Sequence, residues 1–164
     1  ALPHYRPTPR QIAVGEPIVI DMGAVVGGYC ADLTRTVWLG AADDQLEKIF
    51  AVVLAALEAA EQGIRPGMTG READALAREV IARAGYGNAF THSLGHGVGV
   101  RVHEAPSLSP ASEHILEPGH VVTIEPGIYL PGWGGVRIED LVVIREHGVD
   151  VLTQTPKRIT LPGS

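Results

Sequence analysis

Hydrophobic and polar positions alternate in three different ways along this 164-residue chain. Near the start, Pro17 to Asp21 is a short β-branched run ending at an acid, and Tyr29 to Leu39 is an extended segment rich in Thr, Val and Trp. With Gly27-Gly28 between them, the two runs predict a β-hairpin. Next, Leu46, Ile49, Phe50, Val53, Leu54 and Leu57 recur at the three-and-four spacing of an amphipathic helix. Asp43 and Asp44 favour its N-terminus and Gly63 marks its stop. Arg65-Pro66-Gly67-Met68 is a turn, and Thr69 followed by Glu72 is a capping-box signature. The second helix carries the stripe Ala73, Leu76, Ala77, Val80, Ile81 and ends near Gly85. From Phe90 onward Gly, Pro and β-branched residues dominate. Apolar runs at Val121 to Ile124, Gly127 to Leu130 and Val136 to Ile144 predict strands, with Val149 to Leu152 a fourth.

Strands, two helices and strands again, without regular βα alternation, predict an α+β domain with antiparallel sheet. The 45% hydrophobic content and a mean hydropathy of +0.13 provide a core and argue against disorder. A net charge of -6 leaves no basic footprint, so no nucleic acid is expected as a partner. Cys30 is the single cysteine, which excludes an internal disulfide and multi-cysteine metal sites and fits a cytoplasmic, reducing compartment. No apolar run approaches membrane-spanning length, and no signal peptide is visible. The chain starts Ala-Leu-Pro-His, as expected of a stretch from inside a longer protein.

Hairpin geometry turns the spacing of Asp21 and Asp32 into proximity. If the turn is Val26-Gly27 the two face each other directly; if it is Gly27-Gly28 they are diagonal on one face. In either register two carboxylates lie side by side, a repulsive arrangement unless a cation lies between them. Glu125 and Glu139 repeat the pattern around the turn Pro131-Gly132-Trp133-Gly134-Gly135. A hairpin centred on Gly132 sets the two glutamates opposite one another, with Tyr129 and Arg137 on the same face. Pro126 cannot donate to a ladder, so its strand is expected at an edge or with a bulge.

His92, His96 and His103 cluster in a stretch punctuated by Gly95, Gly97 and Gly99, which would let backbone pass close to a ligand or take positive φ. Four carboxylates and one imidazole (Asp21, Asp32, Glu125, Glu139 and His96) suit oxygen-loving divalent cations. Other templates fail: the second histidine of His-Glu-x-x-His is missing, as are a Gly-x-Ser-x-Gly elbow and a P-loop lysine.

The segments Ile20 to Gly23, Gly28 to Thr36, His92 to Gly99, Thr123 to Tyr129 and Gly135 to Asp140 closely resemble the pita-bread metallopeptidases. Within that group the chain is similar to the Xaa-Pro dipeptidases (prolidases) and Xaa-Pro aminopeptidases. The resemblance implies a pita-bread fold of antiparallel sheet and covering helices. Residues 1–164 would be a C-terminal catalytic domain lacking its first strands and helix and the separate N-terminal domain. It implies two divalent metal ions (manganese, cobalt, zinc or iron): Asp21 on one, His96 and Glu125 on the other, Asp32 and Glu139 bridging. Hydrolysis of an Xaa-Pro bond would proceed through a hydroxide bridging the metals. Glu125, His103 and His92 would be catalytic, and His4, His92, Tyr129 and Arg137 would contact a proline-containing peptide. A homodimer is implied for the full-length parent. A non-catalytic pita-bread protein binding a partner in the cleft, or a metal-free relative with altered chemistry, would be expected to lose ligands, and all five positions are filled.

Overall fold

The computed structural model describes residues 1–161. Strand β1 spans Ile18–Val26 and β2 spans Tyr29–Leu39, joined at Gly27-Gly28. Both glycines take positive φ, 59° and 89°, as a two-residue hairpin turn of this twist demands. Asp21 pairs with Thr34 and Gly23 with Asp32, so the diagonal register is the one formed. β1 is longer than its apolar run suggests, and Asp21 sits mid-strand.

Helix α1, Asp44–Gly63, begins at Asp43, whose side chain accepts from Leu46 N at 2.7 Å. Helix α2, Gly70–Arg83, carries both halves of the Thr69/Glu72 capping box, and Gly85 follows with φ 88°. Leu46, Ile49, Phe50, Val53 and Leu57 of α1 are buried with Ala73, Ala77 and Ile81 of α2. Each large side chain of this seam contributes roughly 1.5–3 kcal/mol by leaving water. Trp38 meets Phe50 edge-on at 5.4 Å, which fastens the hairpin to α1.

The remaining strands are β3 (Gly95–Gly97), β4 (Glu104–Leu108), β5 (Val121–Ile124), β6 (Gly127–Leu130), β7 (Gly134–Arg137), β8 (Asp140–Arg145), β9 (Gly148–Val151) and β10 (Ile159–Leu161). They build a three-stranded sheet β1-β2-β10, a five-stranded sheet β4-β3-β5-β8-β9 and a two-stranded sheet β6-β7. The ladders are antiparallel except β2 with β10. β3, β4 and β10 were not expected, because three to five residues are too few to display a period of two.

The expectation for Pro126 holds for β6, which follows it in a two-stranded sheet where both strands are edges, and fails for β5, which precedes it. β5 lies inside the five-stranded sheet, neither at an edge nor bulged, and the strand breaks at Pro126 and resumes as β6 in another sheet. Register survives the break, since Ile124 pairs with Asp140 and Gly127 with Arg137, a hairpin centred on Gly132 throughout. At the break the two arms part: Glu125 N donates to Leu94 O at 2.8 Å, and Glu139 N donates to Thr34 O at 3.0 Å. One arm thus borrows the segment before β3, the other borrows β2.

Candidate metal centre

That parting brings four strands to one point. Asp32 arrives on β2, His96 on β3, and Glu125 and Glu139 flank the break. Ligand-capable atoms of Asp32, His96 and Glu139 all lie within 4.8 Å of one another. His96 Nε2 is 3.3 Å from Glu125 Oε1 and 3.8 Å from Asp32 Oδ2. Thr123 Oγ1 donates to Glu125 Oε1 at 3.0 Å and accepts from His96 N at 3.1 Å, tying two of these residues together.

Gly95 and Gly97 explain how His96 reaches the site. A Cβ on Gly95 would fall 2.0 Å from Thr123 O, and one on Gly97 2.3 Å from Ala105 O. Close approach of neighbouring strands, and not positive φ, is what these glycines provide.

Arg137 is 2% exposed and is the hub of the other flank. Its guanidinium donates to Asp21 Oδ2 at 2.6 Å, to Tyr129 Oη at 3.0 Å, to Thr34 Oγ1 at 3.2 Å and to Pro3 O at 3.0 Å. Tyr129 Oη is 2.9 Å from His92 Nε2, while His92 Nδ1 is 2.8 Å from Ser93 O. Asp21 is therefore held by Arg137 and lies outside the tight Asp32/His96/Glu139 group. His4 is exposed and, with Asp21, Tyr129 and Arg137, lines a cavity of about 610 Å³. The His103 ring, on an exposed loop, lies 4.1 Å from that of His96, centroid to centroid.

Charge at the site is poorly balanced. Burial, then the Glu125 carboxylate, then Asp32 and Asp21, push Glu139 up to about 8, against the opposing bond from Thr34. Burial and the neighbouring Asp21 also raise Asp32. Burial alone would raise Glu125 as well, but the bond and charge of His96 leave it below the usual carboxylate range. Burial opposes protonation of His96, and Glu125 more than offsets it. For His92 the Ser93 carbonyl and the Glu125 charge offset burial only in part, and the ring stays below the ordinary imidazole range.

These residues fit divalent cations. Glu139 Oε1 is buried with no hydrogen-bond partner among the described residues, and its other oxygen takes the Thr34 hydroxyl at 2.6 Å. An oxygen-rich set with one imidazole matches the donor preference of manganese, cobalt, zinc and iron. Thr34 and Thr123 were not singled out in the sequence. Their alternation on the strands that carry Asp32 and Glu125, two residues away in each case, was the available signal.

Comparison with known proteins identifies the family. The model of metallopeptidase family M24 matches residues 1–146. An uncharacterised peptidase of Bacillus subtilis is 52% identical over 98% of the chain and 46% of its own length. The Xaa-Pro dipeptidase of Pyrococcus furiosus is 46% identical over 97% of the chain and 46% of its own length. The crystal structure of X-Pro aminopeptidase from Thermotoga maritima superposes with a TM-score of 0.94 at 43% identity, over 98% of this chain and 46% of that one. The chain thus spans less than half the length of the curated relatives it matches.

Proposed function

Because the chain belongs to metallopeptidase family M24 and has its pita-bread fold, we propose that the intact protein hydrolyses the bond between a residue and a following proline, with two divalent cations held in the acidic cleft. Support comes from one observation above the others: ligand-capable atoms of Asp32, His96 and Glu139 lie within 4.8 Å of one another, and Glu139 carries a buried oxygen with no hydrogen-bond partner among the described residues. Asp32 and Glu139 would hold both cations, Asp21 one of them, and His96 and Glu125 the other. Cations bound there supply Lewis acidity, polarising a carbonyl and making water a nucleophile near neutral pH.

The side chains do the rest. Glu125, kept ionised by His96, accepts the proton of the attacking water and passes it to the leaving proline nitrogen. His103, beside His96 at the mouth, donates to the developing oxyanion. His4, His92, Tyr129 and Arg137 shape the proline side of the cleft. The Arg137–Tyr129–His92 chain fixes Nε2 of the His92 ring and the Ser93 carbonyl fixes Nδ1, so the ring is oriented from both sides. No helix is long and apolar enough to cross a membrane among the described residues.

The test is an assay of the intact protein on an Xaa-Pro dipeptide and an Xaa-Pro-Xaa tripeptide, alongside elemental analysis. Hydrolysis of either, lost on chelation and restored by a divalent cation, is the expected result. Cleavage of the dipeptide alone would mark a dipeptidase, and cleavage of the tripeptide an aminopeptidase. A protein that carries two cations and cleaves neither sinks the reading.

A further inference from the structure

We propose that Asp74 and Arg78 of α2 are positioning residues for the metal centre: their ion pair fixes the backbone from Phe90 to Leu94, and with it the imidazole of His92 and the main chain of Glu125. The proposal rests on the reading of His92 and Glu125 as site residues. Asp74 is 1% exposed, and a carboxylate so buried has to be fully partnered. It takes both arms of the Arg78 guanidinium, at 2.6 and 2.9 Å, and the amide of Leu94 at 3.0 Å. Arg78 spends its other donors on Phe90 O at 3.0 Å and His92 O at 2.8 Å, and lies 4.1 Å from the centre of the Phe90 ring.

One turn of α2 therefore anchors three points of a stretch that makes no ladder before Gly95. Both ends of that anchorage lead into the site. The carbonyl of Leu94, whose amide Asp74 holds, accepts from Glu125 N at 2.8 Å. His92, whose carbonyl Arg78 holds, directs Nε2 to the hydroxyl of Tyr129 and sets its ring edge-on to Phe90 at 5.1 Å. An exposed i,i+4 ion pair does little more than support its own helix. Here five polar contacts leave the helix or lock the pair that makes them, and all serve the segment carrying His92. Lysine could keep the charge but not the planar fork that reaches a carboxylate and two carbonyls together.

The experiment compares Arg78→Met, Arg78→Lys and Asp74→Asn in the intact protein. Ala73→Gly serves as the control, because it weakens α2 without removing any of these bonds. The readouts are amide exchange at Leu94 and Glu125, the ¹⁵N resonances of His92, cation content, and kcat and KM per folded molecule. Arg78→Met is expected to speed exchange at Glu125 by about tenfold or more. It should also shift the His92 Nε2 resonance and lower kcat by roughly 10–100-fold with cation content kept. Arg78→Lys should recover part of each effect, and Ala73→Gly should lower Tm alone. If Arg78→Met does not fold, Arg78→Lys and Asp74→Asn carry the same readouts. Variants with wild-type Glu125 exchange and an unmoved His92 resonance overturn the proposal, as does a kcat per folded molecule equal to wild type. Should the wild-type protein cleave no proline peptide, the proposed function fails, while exchange and resonance still decide the clamp.

Discussion

Glu139 and Asp140 are neighbours in the chain, both buried, and alternation sends their side chains to opposite faces. On one face Glu139 meets Asp21, Asp32 and Glu125, takes a single hydroxyl from Thr34, and is pushed by burial and these carboxylates to about 8. On the other, Asp140 meets Arg35 at 2.6 Å and Lys157 at 3.0 Å. Burial raises Asp140 too, but bonds from Glu61, Arg35 and Lys157 more than offset it and hold it below the usual range. Burial is common to both faces, and the supply of cations is what differs. The chain neutralises the Asp140 cluster with its own side chains. In the cleft the described side chains provide one guanidinium, on Asp21, and the His96 imidazole beside Glu125, and they leave Glu139 Oε1 without a partner.

The largest effect should come from breaking the metal-dependent side. Asp32→Asn or Glu139→Gln is expected to abolish turnover and release cations together, as measured by elemental analysis of the purified variants. A variant that retains both cations would refute the bridging roles. On the self-neutralised side, Arg35→Met strands the Asp140 charge and should cost about 3–5 kcal/mol in urea unfolding, the range for breaking a buried pair. A loss below about 1 kcal/mol would show that Lys157 suffices by itself.

His103→Ala sharpens the contrast within the cleft. It should lower kcat roughly 100-fold while cation content holds. Loss of cations would instead make His103 a ligand. The smallest effect belongs to Glu61, which burial and then Asp140 raise from 4.5 to about 7, in spite of Lys157. A folded value above the unfolded one means that its stabilisation is full below 4.5 and is lost as pH rises through about 7. Glu61→Gln should flatten that fall between pH 4.5 and about 7. Parallel profiles for variant and wild type would remove Glu61 as its source.

Both helices with their caps, the glycine turn and the centre of the second hairpin were legible, because local spacing and turn chemistry determine them. The proximity of Asp21 to Asp32 and of Glu125 to Glu139 followed from hairpin parity. Contacts between distant segments were not legible. Beyond its alternation with Asp32, nothing local in Thr34 marks Glu139 as the partner of its hydroxyl, and nothing in Asp74 or Arg78 marks a grip on residues 90–94. The tail behaves alike: Arg35 donates to Thr155 O and Pro156 O, at 2.8 and 3.0 Å, across more than a hundred residues of chain.

The unbroken register around Gly132 has a genetic corollary. A one-residue change of length in the loop from Pro131 to Trp133 is harmless where the turn absorbs it, but one that propagates into the ladder shifts an arm by one position, and a one-residue slip sends every side chain to the other face. A slip in one direction would put Glu139 at the position facing Arg35 and Lys157 and Ile138 in the cleft, and a slip in the other would put Asp140 at the position of Glu139. A one-codon insertion or deletion in this loop should therefore be tolerated when the register beyond it is kept and be as damaging as loss of a ligand when it is not, as turnover and cation content of such variants would show.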